Sequence, residues 1–123
     1  MSKGKILVID DEDIVLKSCH RALTPEGYDV KIAKSGVEGL KMLENELFHV
    51  ALIDVKMPDM DGMEVLKKIK ERWPDVVVII ITGYSAIATA VSSIKLGAFD
   101  YIEKPFTPDG ILSAIKKALG QQV

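Results

Sequence analysis

Two unbroken apolar runs constrain this chain more than any other feature. Residues 50–53, Val-Ala-Leu-Ile, end abruptly in the carboxylate of Asp54, and residues 76–81 are β-branched throughout before Thr82-Gly83. Runs this short, with no polar residue alternating through them, read as strands buried on both faces. Asp54 then sits where a buried strand leaves the core, at the carboxyl end where open α/β sheets bind their ligands.

The remaining chain supplies the partners such strands need. Residues 6–9 are a further apolar run, ending in Asp10-Asp11-Glu12-Asp13. Residues 14–23 bring Val15, Cys19, Ala22 and Leu23 near one face at helical spacing, with Gly27 as the stop. Residues 28–33 alternate, Tyr28, Val30 and Ile32 against Asp29 and Lys31, which predicts a half-exposed edge strand. Ser35-Gly-Val-Glu38 has the form of a capping box, and Val37, Leu40, Leu43 and Leu47 form the stripe of the helix it starts. Asp61-Gly-Met-Glu64 caps a third helix with Leu66, Ile69 and Trp73 inward, and Pro74 stops it.

Ser85 caps a fourth helix through Leu96, with Ile87, Val91 and Ile94 on one stripe and Gly97 after its end. Residues 99–102 form a fifth strand. Thr107 caps a last helix with Pro108 at its first position, and Ile111, Ile115, Ala118 and Leu119 face inward. Five strands alternating with five helices mean a parallel sheet covered on both faces, and right-handed crossovers leave few topologies. The expectation is an open doubly wound α/β sheet forming one domain over residues 1–123.

Composition narrows the function. The 123 residues are 48% apolar, enough for a packed globule. Sixteen basic side chains against eighteen acidic ones leave a net charge of −2, no electrostatic footprint for nucleic acid. No apolar run approaches the ~20 residues of a membrane span. The opening Met-Ser-Lys-Gly-Lys carries no signal-peptide pattern, which predicts a cytoplasmic protein, and the lone Cys19 fits a reducing compartment.

The strand ends share one rim, and they carry Asp10 and Asp11, Asp54, Thr82 and Lys104. Each has a plain structural reading alone, as a helix cap, a strand terminus or a solvated lysine. Together they conflict, because like charges at ~4 Å cost about 4 kcal/mol per pair at an effective dielectric near 20. Lys104 offsets only one charge, so a divalent cation is the natural complement. All-oxygen ligands select a hard ion, and a site that keeps water suits Mg²⁺ better than Ca²⁺. Asp59-Met-Asp61-Gly fails as an EF-hand loop, and no Gly-rich phosphate loop is present. In such a pocket Mg²⁺ and Lys104 could neutralise a phosphoryl group, Thr82 could donate to it, and Asp54 could be the nucleophile.

Asp10-Asp11 after the first strand, Asp54 in Asp-Val-Lys-Met-Pro-Asp-Met-Asp-Gly, Thr82-Gly83, Tyr101 and Lys104-Pro105-Phe106 stand in order at specific spacings. On these motifs the chain resembles the receiver domains of two-component response regulators over essentially its whole length. The resemblance implies a flavodoxin-like, CheY-like fold with strand order 2-1-3-4-5. It implies Asp54 as the phosphoacceptor for a sensor histidine kinase. Mg²⁺ would be held by Asp11, Asp54 and the Lys56 carbonyl, with Asp10 acting through water. Thr82 and Lys104 would contact the phosphoryl oxygens, and the Lys104-Pro105 bond would be cis.

The same resemblance makes Tyr101 the switch aromatic, which would turn inward to alter the face of the fourth helix, fifth strand and fifth helix. That face would meet a downstream effector domain or protein, or a second copy in a homodimer. Direct nucleic-acid and membrane contacts are not expected. Lys56 and Tyr84 flank the pocket, where receivers tune hydrolysis of the acyl phosphate. Residues 81–106 are similar to receivers preceding sigma-54 activator modules. The segment reads either as a free-standing receiver or as part of a longer regulator.

Other residues take plainer roles. His20 and His49 read as surface or boundary residues, Cys19 as core, and Met57, Met60 and Met63 as loop and core packing. Lys67, Lys68 and Lys70 read as a solvated helix face. Two other functions compete. Asp11-Glu-Asp13-Ile-Val15 fits the Asp-x-Asp-x-[Thr/Val] signature of haloacid-dehalogenase-like phosphatases, with Asp11 as nucleophile and Asp13 as acid, but leaves Asp54 and Tyr101 idle. A constitutive interaction module is the third reading.

Overall fold

The computed structural model describes residues 2–83 and 87–121. Its elements run β1 (Lys5–Ile9), α1 (Asp13–Leu23), β2 (Asp29–Ala33), α2 (Gly36–Asn45), β3 (Val50–Asp54), α3 (Gly62–Arg72), β4 (Val77–Gly83), α4 (Ile87–Lys95), β5 (Asp100–Lys104) and α5 (Pro108–Ala118). The strands form one parallel sheet in the order β2-β1-β3-β4-β5. This is the expected topology. Because β1, β3 and β4 are interior, their side chains are buried on both faces, and Ile6, Leu7, Ile9, Leu52, Ile53, Ile79, Ile80 and Ile81 are all shut off from solvent. Each such side chain contributes about 1.5–3 kcal/mol of transfer free energy.

The pleat divides these residues between two cores. Ile6, Val8, Leu52, Ile79 and Ile81 meet α1 and α5 through Val15, Leu16, Cys19, Leu23, Ile111 and Ile115. Leu7, Ile9, Ile53, Val78 and Ile80 meet α2 and α3 through Leu40, Leu43, Val65, Leu66 and Ile69. Three of the caps read from sequence are in place. Ser35 accepts from the Glu38 N–H, Asp61 from the Met63 N–H, and Thr107 from the Gly110 N–H with Pro108 at the first position. Gly27 has φ +98°, the left-handed stop that glycine adopts without steric cost, after a 3₁₀ turn Thr24–Glu26.

Several inward assignments are corrected. Leu47 is 75% exposed because α2 ends at Asn45 and Glu46 is extended, so the helical phase stops before Leu47. Phe48 is buried instead. Val37 is also exposed, since α2 meets the sheet through Gly36, Gly39, Leu40 and Leu43. A Cβ at Gly39 would collide with the Ile9 side chain, so the small residue sets how near the helix can lie. In α4 the same inversion occurs: Val91 and Ile94 are 49% and 42% exposed, while Ala90 and Ser93 are fully buried. The Ser93 hydroxyl satisfies itself by donating to the Ala90 carbonyl at 2.6 Å.

Ile32 is exposed on the edge strand, and Phe99 is exposed because β5 begins one residue later and runs on to Lys104. Trp73 and Ala22 are only partly buried. Lys70 is not simply solvated, for its ammonium donates to the carbonyls of Pro74 (3.0 Å) and Val76 (2.8 Å) and ties the turn into β4. Ser85 and Tyr84 lie outside the described residues, and so does the side chain of Ile87. Among the described residues no helix is long and apolar enough to cross a membrane.

Candidate functional site

Each strand end delivers its residue to the same rim for a local reason. The Asp10 N–H still pairs with the Ala33 carbonyl of β2 (3.1 Å), while Asp10 Oδ1 accepts from the Glu12 N–H (2.9 Å) and turns the chain into α1. β3 ends at Asp54, opposite Ile81 of β4. The chain returns to α3 through a Gly62 N–H bond to the Val55 carbonyl (2.8 Å). A Cβ on Gly62 would collide with the Asp54 carbonyl oxygen, so only glycine permits this return. β5 carries Lys104 alongside Gly83, and the Lys104-Pro105 bond is cis. Thr82 is buried, and its hydroxyl donates to the Gly83 carbonyl at 2.9 Å.

Lys104 is the hub. Its Nζ lies 2.8 Å from Glu12 Oε1, 3.1 Å from Asp10 Oδ2 and 3.2 Å from Asp54 Oδ1. Asp10 and Asp54 are both buried. Burial first, then the charge of Asp10, push the Asp54 carboxyl up from 3.8 to about 6, against the pull of Lys104. Burial likewise raises Asp10, opposed by the Glu12 N–H and by Lys104. Burial alone would lower Lys104, but Glu12, Asp10 and Asp54 outweigh it and hold the ammonium protonated well above its ordinary value. A cavity of about 300 Å³ opens over this cluster, lined by Asp11, Glu12, Asp54, Val55, Lys56, Gly83 and Lys104.

The donor set fits a hard cation. Asp10, Glu12 and Asp54 each bring a carboxylate oxygen within 4.8 Å of the others. Asp10 Oδ2 is fully buried without a hydrogen bond of good geometry, facing Lys104 only as an ion pair. One ammonium against these carboxylates leaves the group anionic, the condition that an oxygen-liganded divalent ion relieves. Asp11 is exposed at the mouth of the cavity and lies outside this tight trio, and Lys56 lines the cavity.

Two contributors were not singled out in the sequence. Glu12 stands in the acidic run after β1, beside the paired aspartates Asp10 and Asp11. Asp59 accepts from the Gly36 and Val37 N–H groups (3.2 and 3.0 Å), fastening the β3–α3 loop to the start of α2. Nothing in the spacing of residues 36 and 59 foretells that bond. Tyr101 is half-buried against the α2–α3 core. Cys19 is core, and burial pushes its thiol up to about 12. His49 accepts the Lys5 N–H through Nδ1 (2.9 Å) at the start of β1, and His20 is exposed. Asp13, the acid of the phosphatase reading, pairs with Lys34 at 3.3 Å.

A doubly wound parallel sheet with acidic and lysine side chains at the carboxyl ends of β1, β3 and β5 defines a flavodoxin-like α/β domain with a cation-ready pocket. Residues 6–116 match the family described as the response regulator receiver domain, and the chain belongs to that family. It is 41% identical over 119 residues to the DNA-binding transcriptional regulator NtrC of Proteus hauseri, covering 97% of this chain and 25% of that one. The chain spans about a quarter of the length of the curated NtrC- and NtrX-like relatives it matches. Among solved structures it resembles a CheY-like receiver domain protein of Methanospirillum hungatei, with TM-score 0.91, 42% identity and coverage of 97% and 95% of the two chains. The receiver domain of NtrX from Brucella abortus superposes with TM-score 0.90 at 32% identity, covering 95% and 99%.

Proposed function

We propose that residues 1–123 form one receiver whose Asp54 accepts a phosphoryl group from a sensor histidine kinase. The observation that carries this reading is the buried Asp54 carboxylate at the end of β3, 3.2 Å from the Lys104 ammonium and open to a cavity. An Asp54 oxygen attacks phosphorus, the bond from phosphorus to the kinase imidazole nitrogen breaks, and the imidazole leaves. The product is an acyl phosphate. Asp10, Asp11, Asp54 and the Lys56 carbonyl are the groups we assign to Mg²⁺. When bound, Mg²⁺ supplies charge neutralisation for the phosphoryl oxygens and the carboxylates. Lys104 turns its ammonium to one phosphoryl oxygen, and Thr82 gives up its bond to the Gly83 carbonyl to donate to another.

The same movement is the proposed switch. Thr82 withdraws from β4 toward the phosphoryl group, and Tyr101 turns into the space beside it, reshaping the α4-β5-α5 face for a downstream effector or a second copy. Moving a two-state equilibrium from 1:99 to 99:1 takes about 5.5 kcal/mol. Two new hydrogen bonds to a charged group, at about 1.5–3 kcal/mol each, approach that figure. Hydrolysis of the acyl phosphate by the same pocket resets the domain.

The test is to map the label after incubation with Mg²⁺ and a small acyl-phosphate donor. Label on Asp54 that is lost in Asp54→Asn supports the reading. Label on Asp11, or undiminished labelling of the variant, overturns it.

A further inference from the structure

We propose that Glu12 is a positioning residue, whose carboxylate draws the Lys104 ammonium outward and limits how closely it pairs with Asp54. Of the three carboxylates around Lys104 Nζ, Glu12 is nearest, at 2.8 Å, and its Oε1 accepts a hydrogen bond from the ammonium. Asp10 and Asp54 stand farther off, at 3.1 and 3.2 Å, as ion pairs. Glu12 occupies the N-cap of α1 without its side chain capping the helix. Its own N–H is taken by Asp10 Oδ1, which fixes where the side chain departs. The carboxylate therefore reaches across the rim from the β1–α1 turn to the end of β5.

The consequence rests on the receiver reading above. An ammonium drawn to Glu12 stands 3.2 Å from Asp54 Oδ1 and so competes less for that carboxylate with a divalent ion and with phosphorus. Without Glu12 the ammonium's remaining partners are the two buried aspartates, and drawn more closely onto them it competes harder with the ion. Glu12 thus acts through Lys104, not by touching the ion or the phosphoryl group.

Glu12→Asp keeps the charge and removes one methylene of reach. In the metal-free protein it should shift the Lys104 Nζ resonance measured by side-chain ¹⁵N NMR. It should weaken Mg²⁺ binding, titrated by NMR or calorimetry, by about three- to tenfold, and Glu12→Gln should do at least as much. In a Lys104→Met background the Glu12→Asp change should be less than about twofold. An unmoved Lys104 resonance, unchanged Mg²⁺ affinity in Glu12→Asp, or an equal loss in the Lys104→Met background overturns the proposal, the last by making Glu12 a ligand in its own right. Absence of Mg²⁺ binding by the unaltered protein is a different failure, that of the receiver reading itself.

Discussion

Lys104 Nζ lies 3.2 Å from Asp54 Oδ1, although β4 runs between the strands that carry the two residues. The long lysine side chain spans what the sheet separates. Lys104→Ala should accordingly retain Mg²⁺ binding, because the ammonium is no ligand, yet uncouple phosphorylation from partner binding. Paired metal titration and partner-binding assays check this, and an unchanged partner response shows Lys104 to be dispensable.

The pH dependence of the metal-free fold follows from burial of the acidic pair. Burial, then the Asp10 charge, hold Asp54 up at about 6, so the folded protein binds this proton more tightly than the unfolded chain. That contribution to stability is complete below about pH 4 and is lost as the pH rises through about 6. Asp10, raised by burial, acts with the same sign. With a chelator present, Asp54→Asn should melt higher than the unaltered protein at about pH 7.5, by on the order of 5 °C, and the gain should shrink toward pH 4. Calorimetry across that range decides; a lower melting point for the variant at the upper end would make the Lys104 attraction the larger effect.

Metal should reverse that balance. At about a hundredfold excess over its dissociation constant, Mg²⁺ should stabilise the fold by about 2.7 kcal/mol. Asp54→Asn and Asp10→Asn should lose most of this increment. Denaturant titrations with Mg²⁺ and with chelator measure it.

Asp59 holds α2 from a distant loop. Burial opposes ionisation of its carboxyl, but the N–H groups of Val37 and Gly36 outweigh it and keep the carboxyl below its ordinary 3.8. The bond is present above about pH 4 and is lost as pH falls through the lowered folded value, the opposite sign to Asp54. Asp59→Ala should cost about 0.5–2 kcal/mol at neutral pH, as for a lost helix cap. An unchanged denaturation midpoint would mean that water replaces the carboxylate without loss.

Gly62→Ala tests the return from β3 to α3. Its Cβ would meet the Asp54 carbonyl oxygen and the Val55 Cα, backbone that cannot swing aside. The expected cost is about 1–3 kcal/mol, with slower labelling of Asp54 because the carboxylate shifts with its carbonyl. Stability and labelling rate measured on one preparation separate the two effects.

The fold was legible where one signal admitted one outcome. Runs of β-branched residues at 76–81 and a carboxylate ending 50–53 have few homes other than interior parallel strands. The caps at Ser35, Asp61 and Thr107 are local hydrogen bonds written within a few residues. Helix faces were harder. Of the stripe suggested for α2, Leu40 and Leu43 are buried but Val37 and Leu47 are exposed; in α4 Val91 and Ile94 are exposed, and Gly39, Ala90 and Ser93 lie inward. Periodicity weighs side-chain size, but a helix seated closely on a sheet needs small residues at the contact.

From the sequence alone came the alternation of elements, the rim on which Asp10, Asp54, Thr82 and Lys104 converge, and the anionic character of that rim, because strand ends in a parallel sheet share one edge. Tertiary structure alone decided that Glu12 shares Lys104, that Asp59 anchors α2, and which faces of α2 and α4 are buried. Those depend on distances between elements far apart in the chain. Such distances are set by how closely the layers pack, a property of the assembled core that no local pattern encodes.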